Sequence, residues 1–312
     1  MPTFSGQKIL WNKEMDLPEI TGILLDTKRF AVHDGPGIRT AFYLKGCPLR
    51  CLWCHNPESI SPARQIGLFE HNCCHCGDCV PVCPVQAHRM VNEKHQFSRE
   101  NCTFCGACEE ICSGRALKVY GKRTTVQEAL NIALEDESFY RESGGGVTLS
   151  GGEPLFQKEF SLALLQELKK NGIHTALDTC AFVSQKTLKE SLEFTDMYLV
   201  DFKHFDSTEH KRLTGQPNEL IKENLKFLSD NHARIEIRIP LIPGCNNSPE
   251  NLHATGNFLK DLHIESVKLL PYHSYARAKY SALQMPDTLP ESESPNLQNH
   301  VEILQNYNLI FL

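Results

Sequence analysis

Residues 46–57, Gly46-Cys47-Pro48-Leu49-Arg50-Cys51-Leu52-Trp53-Cys54-His55-Asn56-Pro57, directly follow a short apolar run, Thr40 to Leu44, that reads as a strand. They place three thiols on one loop in a C-x3-C-x2-C spacing. Thiolates are soft donors that select zinc or iron–sulfur clusters. A structural zinc site or an all-cysteine cubane asks for four ligands, and within this loop the fourth thiol is missing. A zinc knuckle completed by a distant ligand such as His55 is one reading of the spacing. A cluster with one iron left open to a small molecule is the other.

Downstream of about residue 120, short apolar strands alternate with amphipathic helices. Thr125-x-x-Glu128 is a capping box that opens a helix through about Tyr140. Strands read at Gly146 to Leu149, His174 to Asp178, Met197 to Phe202, Arg234 to Pro240 and Val267 to Leu270. Helices read near Glu159 to Lys170, Gln185 to Glu193, Asn218 to Asp230 and Ser248 to Leu262, the last with Pro249 at its first position. Repeated βα units make a parallel sheet. The expected fold class is α/β, a partial (β/α)6 TIM-like barrel of about six strands, whose sites lie at the C-terminal ends of the strands.

Composition narrows the classes. The 312 residues are 41% hydrophobic with net charge −6 and mixed signs, giving no basic stripe for nucleic acid or anionic lipid. Nothing approaches the roughly 20 apolar residues of a membrane span, and residues 1–17 lack a long apolar run, so a cytoplasmic protein is expected; a monomer is expected as a separate matter. Fourteen cysteines are wrong for a disulfide scaffold of this size and class. Twelve of them fall between Cys47 and Cys112, which points to metal.

Residues 60–119 interrupt the βα alternation and read as an inserted module, dividing the chain into 1–59, 60–119 and 120–312. Cys73-x2-Cys76-x2-Cys79-x3-Cys83-Pro84 and Cys102-x2-Cys105-x2-Cys108-x3-Cys112 repeat the bacterial ferredoxin run, with Ser113 in place of the second proline. In such two-cluster modules the fourth cysteine of each run ligates the other cluster. The expected ligand sets are Cys73, Cys76, Cys79 and Cys112, and Cys102, Cys105, Cys108 and Cys83; Cys74 could replace Cys73. Cys180 and Cys245 read as small core or loop residues. From Asp287 to Asn299 a Pro-, Ser- and Glu-rich loop precedes a closing helix and strand.

The cysteine triplet after a first barrel strand resembles the signature of the radical S-adenosylmethionine superfamily. That resemblance implies an oxygen-sensitive [4Fe-4S] cluster on Cys47, Cys51 and Cys54 whose open iron chelates S-adenosylmethionine. One electron then breaks a sulfur–carbon bond, giving methionine and a 5′-deoxyadenosyl radical. Gly151-Gly152-Glu153-Pro154, otherwise a plain turn, resembles the superfamily motif that contacts the methionine amino group. Leu177-Asp178-Thr179 and Asp201-Phe202-Lys203 are similar to segments of glycyl radical enzyme activating enzymes, the family of the pyruvate formate-lyase activator. They imply Asp178, Thr179 and Asp201 as ligands of a monovalent cation and Lys203 as the counter-ion of the cosubstrate carboxylate. An Asp that caps the following helix is the alternative for each.

Arg238 and His273 resemble two more positions lining the cosubstrate pocket; a core Arg and a satisfied His are their alternatives. His33-Asp34-Gly35-Pro36-Gly37-Ile38-Arg39 is the segment most specific to the activating family, and implies Asp34 close to the entering glycine loop of the partner. Unlike the short pyruvate formate-lyase activators, this chain carries the Cys-rich insert.

The implied cofactors are three [4Fe-4S] clusters with S-adenosylmethionine as cosubstrate, and the implied donor is a flavodoxin or ferredoxin. The implied activity is removal of a hydrogen atom from a glycine of a partner glycyl radical enzyme. Partners of insert-bearing members include glycerol or hydroxyproline dehydratases, choline or isethionate lyases, hydroxyphenylacetate decarboxylase and benzylsuccinate synthase. The rivals are a radical enzyme acting on a small molecule and a pure electron carrier.

Overall fold

The computed structural model describes residues 20–291 and 297–311; the N-terminal residues 1–19 and part of the expected loop after Asp287, residues 292–296, lie outside them. In chain order the strands are β1 (Thr21–Ala31), β2 (Arg39–Leu44), β3 (Gln65–Leu68), β4 (His88–Val91), β5 (Lys94–Phe97), β6 (Leu117–Tyr120), β7 (Lys122–Thr125), β8 (Gly146–Gly151), β9 (His174–Thr179), β10 (Met197–Asp201), β11 (Ile235–Leu241) and β12 (Ser266–Pro271).

Eight of them form one sheet in the order β12-β11-β10-β9-β8-β2-β1-β7. The pairs from β2 to β12 are all parallel. Their sequences are near-continuous apolar runs, such as the wholly buried Met197-Tyr198-Leu199-Val200 of β10, because helices in the crossovers leave neither face to water. These are the six strands the sequence predicts.

The two strands beyond β2 in this sheet, β1 and the edge strand β7, were not predicted. β1 pairs antiparallel with β2 and with β7, and register shifts interrupt its β2 ladder between Leu24 and Asp26 and between Lys28 and Ala31. Such bulges, together with Asp26, Lys28 and Arg29, erase the alternation by which a strand is read.

The capping box on Thr125 is present: Glu128 N donates to Thr125 Oγ1 at 3.1 Å and Thr125 N donates to Glu128 Oε2 at 2.8 Å. The single helix expected through Tyr140 is instead two, Val126–Leu134 and Glu137–Ser143. Asp136 at the break turns its buried carboxylate inward, where it accepts from Arg29 Nε and Thr40 Oγ1, each at 2.8 Å. A helix Ser207–Thr214, capped by Asp206, was also unpredicted. The expected closing helix begins at Leu297, inside the stretch expected as loop up to Asn299, and runs to Gln305; Phe311 bridges to Val267 of β12.

Residues 60–119 leave and re-enter through a neck in which β3 pairs antiparallel with β6, Gln65 opposite Tyr120 and Leu68 opposite Leu117. Within lies the hairpin β4–β5, whose two-residue turn Asn92-Glu93 has φ of 49° and 62°, the left-handed pair that a twisted hairpin favours. Arg99 ties this region to the sheet domain by donating to Gln284 Oε1 at 3.0 Å and to the Ala282 carbonyl at 2.7 Å.

Candidate active site

The C-terminal ends of β2, β8, β9, β10 and β11 converge on one cavity. Cys47, Cys51, Cys54, Gly151, Gly152, Asp178, Thr179, Asp201, Lys203 and Arg238 all line it. The cysteine loop is anchored by backbone bonds from Gly46 N to Ser59 O (2.7 Å), Arg50 N to Thr214 O (2.7 Å) and Leu52 N to Leu213 O (3.0 Å). The helix Ser207–Thr214 therefore serves as its seat, with Trp53 buried against Leu213, Ile242 and Tyr272. Burial pushes the thiols of Cys51 and Cys54 up to about 12, so a metal binding there displaces protons.

Both glycines of the Gly151-Gly152 turn are demanded by packing. Gly151 has φ of 114°, and a Cβ on it would stand 2.3 Å from Leu44 N. A Cβ on Gly152 would stand 2.3 Å from the Gly46 carbonyl oxygen. No side chain fits where these two backbones meet.

Glu153 is fully buried and does not line the cavity. Its Oε2 accepts from Thr179 Oγ1 (2.7 Å) and Cys180 N (2.9 Å), and its Oε1 accepts from Leu155 N (3.0 Å). It thus fixes the turn after β9 from behind. Cys180, read from the sequence as a small core or loop residue, is buried and also lies on the cavity wall close to Cys47. The neighbouring Cys47, together with burial, raises the Cys180 thiol well above its ordinary range. Only its place directly after Asp178-Thr179 at a strand end hinted at this.

The charged residues form a linked set. Lys203, 7% exposed, donates from Nζ to Asp201 Oδ2 at 2.6 Å. Burial alone would lower its ammonium, but the Asp201 carboxylate, together with the nearby thiols of Cys51 and Cys180, outweighs this and raises it above the usual range. Asp178 accepts from Ser150 Oγ at 2.7 Å and faces Arg238 Nη1 at 3.7 Å. Burial pushes its carboxyl up to about 6 against the pull of Arg238. Arg238 also donates from Nε to Glu236 Oε1 and from Nη2 to the His33 carbonyl, each at 2.9 Å. The segment 33–39 is thereby drawn to the cavity, and Asp34 Oδ2 accepts from Tyr43 OH at 3.3 Å. His273 is not on the cavity wall; it stands exposed at the rim, stacked at 4.0 Å on His55, which does line the cavity.

In the insert, one cavity is lined by Cys83, Cys102, Cys105 and Cys108, and a second by Cys73, Cys74, Cys76, Cys79 and Cys112. Each gathers three cysteines of one run and the last of the other, as a two-cluster module requires.

Residues 67–113 match the model of the 4Fe-4S dicluster domain, and residues 95–254 match that of the radical SAM superfamily. The choline trimethylamine-lyase activating enzyme of Oleidesulfovibrio alaskensis is 41% identical over 272 residues, 85% of this chain and 88% of that protein. The trans-4-hydroxy-L-proline dehydratase activating enzyme of Clostridioides difficile is 40% identical over 284 residues, 90% and 94% of the two. The chain belongs to the glycyl radical enzyme activating enzymes. Streptococcus suis SuiB bound to precursor peptide SuiA, 13% identical with a TM-score of 0.50 over 85% of this chain and 46% of that one, shares the fold. Among the described residues of the activating enzyme no helix is long and apolar enough to cross a membrane.

In this activating enzyme Gly151→Ala is expected to push β8 away from β2 at the mouth of the cysteine loop. The strained φ and the backbone clash should cost about 2–4 kcal/mol and weaken S-adenosylmethionine binding at least tenfold. Thermal unfolding and equilibrium dialysis check it; an unchanged Tm with wild-type affinity would contradict the packing role.

Proposed function

We propose that Cys47, Cys51 and Cys54 hold a four-iron cluster whose open position takes the amino and carboxylate groups of S-adenosylmethionine. Lys203 neutralises that carboxylate, and Gly151 and Gly152 let backbone approach the methionine moiety. Glu153 acts by holding this turn and the β9 turn together, Asp178, Thr179 and Asp201 offer hard oxygens to a monovalent cation, and Arg238 borders the cosubstrate while His273 stands outside the cavity at its rim. Asp34, on the segment that Arg238 draws inward, lies beside the partner's glycine loop. The observation that carries this reading is the convergence of the three thiols, the glycine turn and the buried Lys203 on one cavity at the strand ends. The donor set fits the group: soft thiols on one wall, a buried cation and carboxylates on another.

When bound, the cluster supplies one electron that cleaves S-adenosylmethionine to methionine and a 5′-deoxyadenosyl radical. The chain is a radical S-adenosylmethionine oxidoreductase that abstracts a hydrogen atom from a glycine of a partner glycyl radical enzyme. Its own residues position the cosubstrate and exclude water and stray hydrogen donors from so reactive a species. The arrangement we infer around it is a partial (β/α)6 barrel from 1–59 and 120–312 with a ferredoxin-like insert at 60–119. The insert would carry two further four-iron clusters, one on Cys73, Cys76, Cys79 and Cys112 and one on Cys102, Cys105, Cys108 and Cys83. The protein would work as a cytoplasmic monomer and take electrons from a flavodoxin or ferredoxin.

Anaerobically reconstituted, reduced protein tests this with S-adenosylmethionine and an added glycyl radical enzyme, such as a choline lyase or a hydroxyproline dehydratase. A glycyl radical signal in electron paramagnetic resonance should appear together with stoichiometric 5′-deoxyadenosine. Deoxyadenosine formed at full rate with a small molecule and no partner would favour the rival reading.

A further inference from the structure

Two imidazoles stand between the insert cavities. The register of the β4–β5 hairpin sets His88 opposite Phe97 and Met90 opposite His95, so His88 and His95 are diagonal neighbours on one face. Their rings stack at 5.1 Å, with Nδ1 of His88 2.9 Å from Nε2 of His95. His88, buried and stacked on Phe97 at 4.7 Å, lines the cavity of Cys83, Cys102, Cys105 and Cys108. His95 lines the other. A ring nitrogen of each histidine lies within 4.8 Å of Cys79 Sγ. Nδ1 of His95 is buried and has no hydrogen-bond partner in the protein. The nearby His75 is already engaged, its Nδ1 accepting from the His95 amide at 3.2 Å.

The shared hydrogen bond has one donor and one acceptor. Were His95 neutral with its proton on Nε2, its Nδ1 would be a buried acceptor with no donor in the protein, beside a cavity whose cluster would offer sulfur acceptors and no donors. In the other arrangement His88 Nδ1–H donates to His95 Nε2, and His95 carries its proton on Nδ1. That proton has no acceptor in the protein, and a cluster held in the cavity that His95 lines would supply sulfur acceptors for it.

The geometry points to His95 as a hydrogen-bond donor to the cluster of Cys73, Cys76, Cys79 and Cys112. His88, on the wall of the other cavity, is the positioning residue that holds it in that tautomer, as partners of metal-ligating groups commonly do. The inference rests on the reading of two cubanes in the insert. An N–H directed at cluster sulfur stabilises the more negative, reduced state and raises the potential. Two clusters with otherwise alike ligand sets are thereby made unequal, and the one beside His95 is where an electron resides first.

The test is a redox titration of the full reconstituted chain followed by electron paramagnetic resonance. His95→Leu should lower one insert potential and leave the other. The expected size is at least a tenfold change in the reduced-to-oxidised ratio at fixed potential, about 59 mV for a one-electron couple. His95→Gln, which restores an N–H, should recover most of the shift, and His88→Phe should lower the same potential. If His95→Leu fails to load its cluster, His88→Phe, which leaves His95 in place, must still move that potential. Unchanged potentials, equal shifts of both clusters, or a Gln variant as altered as the Leu variant would overturn the inference. Wild-type iron and sulfide content short of three cubanes would instead overturn the reading beneath it, and the inference with it.

Discussion

Cys51→Ser protein is expected to fold, lose about a third of its iron and form no 5′-deoxyadenosine above background. The iron fraction follows from the proposed set of three cubanes, of which one would be lost and the two proposed on residues 73–112 kept. Cys51 is the ligand through which the effect should be largest. Its backbone lies between the two bonds that seat the loop on Thr214 and Leu213, and its half-buried side chain packs beside Trp53, Leu213, Ile242 and Tyr272. A serine hydroxyl there offers a poor ligand without disturbing the seat. Iron analysis, electron paramagnetic resonance with and without S-adenosylmethionine, and chromatography of the nucleoside read the three parts separately. Full iron content with a signal that still responds to the cosubstrate would contradict the assignment.

The second large effect is expected at Asp201. Asp201→Asn leaves the Lys203 ammonium, 7% exposed, without its carboxylate partner at 2.6 Å. Removing one member of a buried ion pair costs about 3–5 kcal/mol, because the remaining charge is neither hydrated nor paired. For a domain of this size that should lower Tm by roughly 5–10 °C. Lys203→Met should cost less, since Asp201 is 30% exposed and keeps some water, but it should weaken S-adenosylmethionine binding at least tenfold by removing the cation for the carboxylate. In the double variant most of the stability lost in Asp201→Asn should return while the affinity stays low. That non-additivity in stability is the signature of direct coupling, and calorimetry with binding measurements on the four proteins checks it. Additive losses would show that the pair is not coupled.

Much of this was legible in the sequence because its causes are local. A continuous apolar run such as Met197 to Val200 reads as a parallel strand wherever it lies, and Thr125 with Glu128 reads as a helix start. Thiol spacing alone separated the open triplet from the two ferredoxin runs, and the two insert cavities gather the cysteines in the crossed sets that the spacing predicts. What escaped depended on partners distant in the chain. The helix break at Asp136 is invisible without Arg29, which sits on a bulged strand that itself leaves no periodic trace. Cys180 has no spaced companion, and only the fold brings it to Cys47. Glu153 belongs to a motif read as touching ligand, yet its carboxylate is spent entirely on Thr179, Cys180 and Leu155.

The β3–β6 neck has a historical meaning as well as a mechanical one. Because Gln65 and Tyr120 face each other across an antiparallel pair, the polypeptide returns to within one strand spacing of where it left. Arg64 then closes the join by donating from Nε to the Gly121 carbonyl at 2.9 Å. A cassette entered through such a doorway can be gained or discarded in a single recombination event without displacing Cys54 on one side or Gly151 on the other.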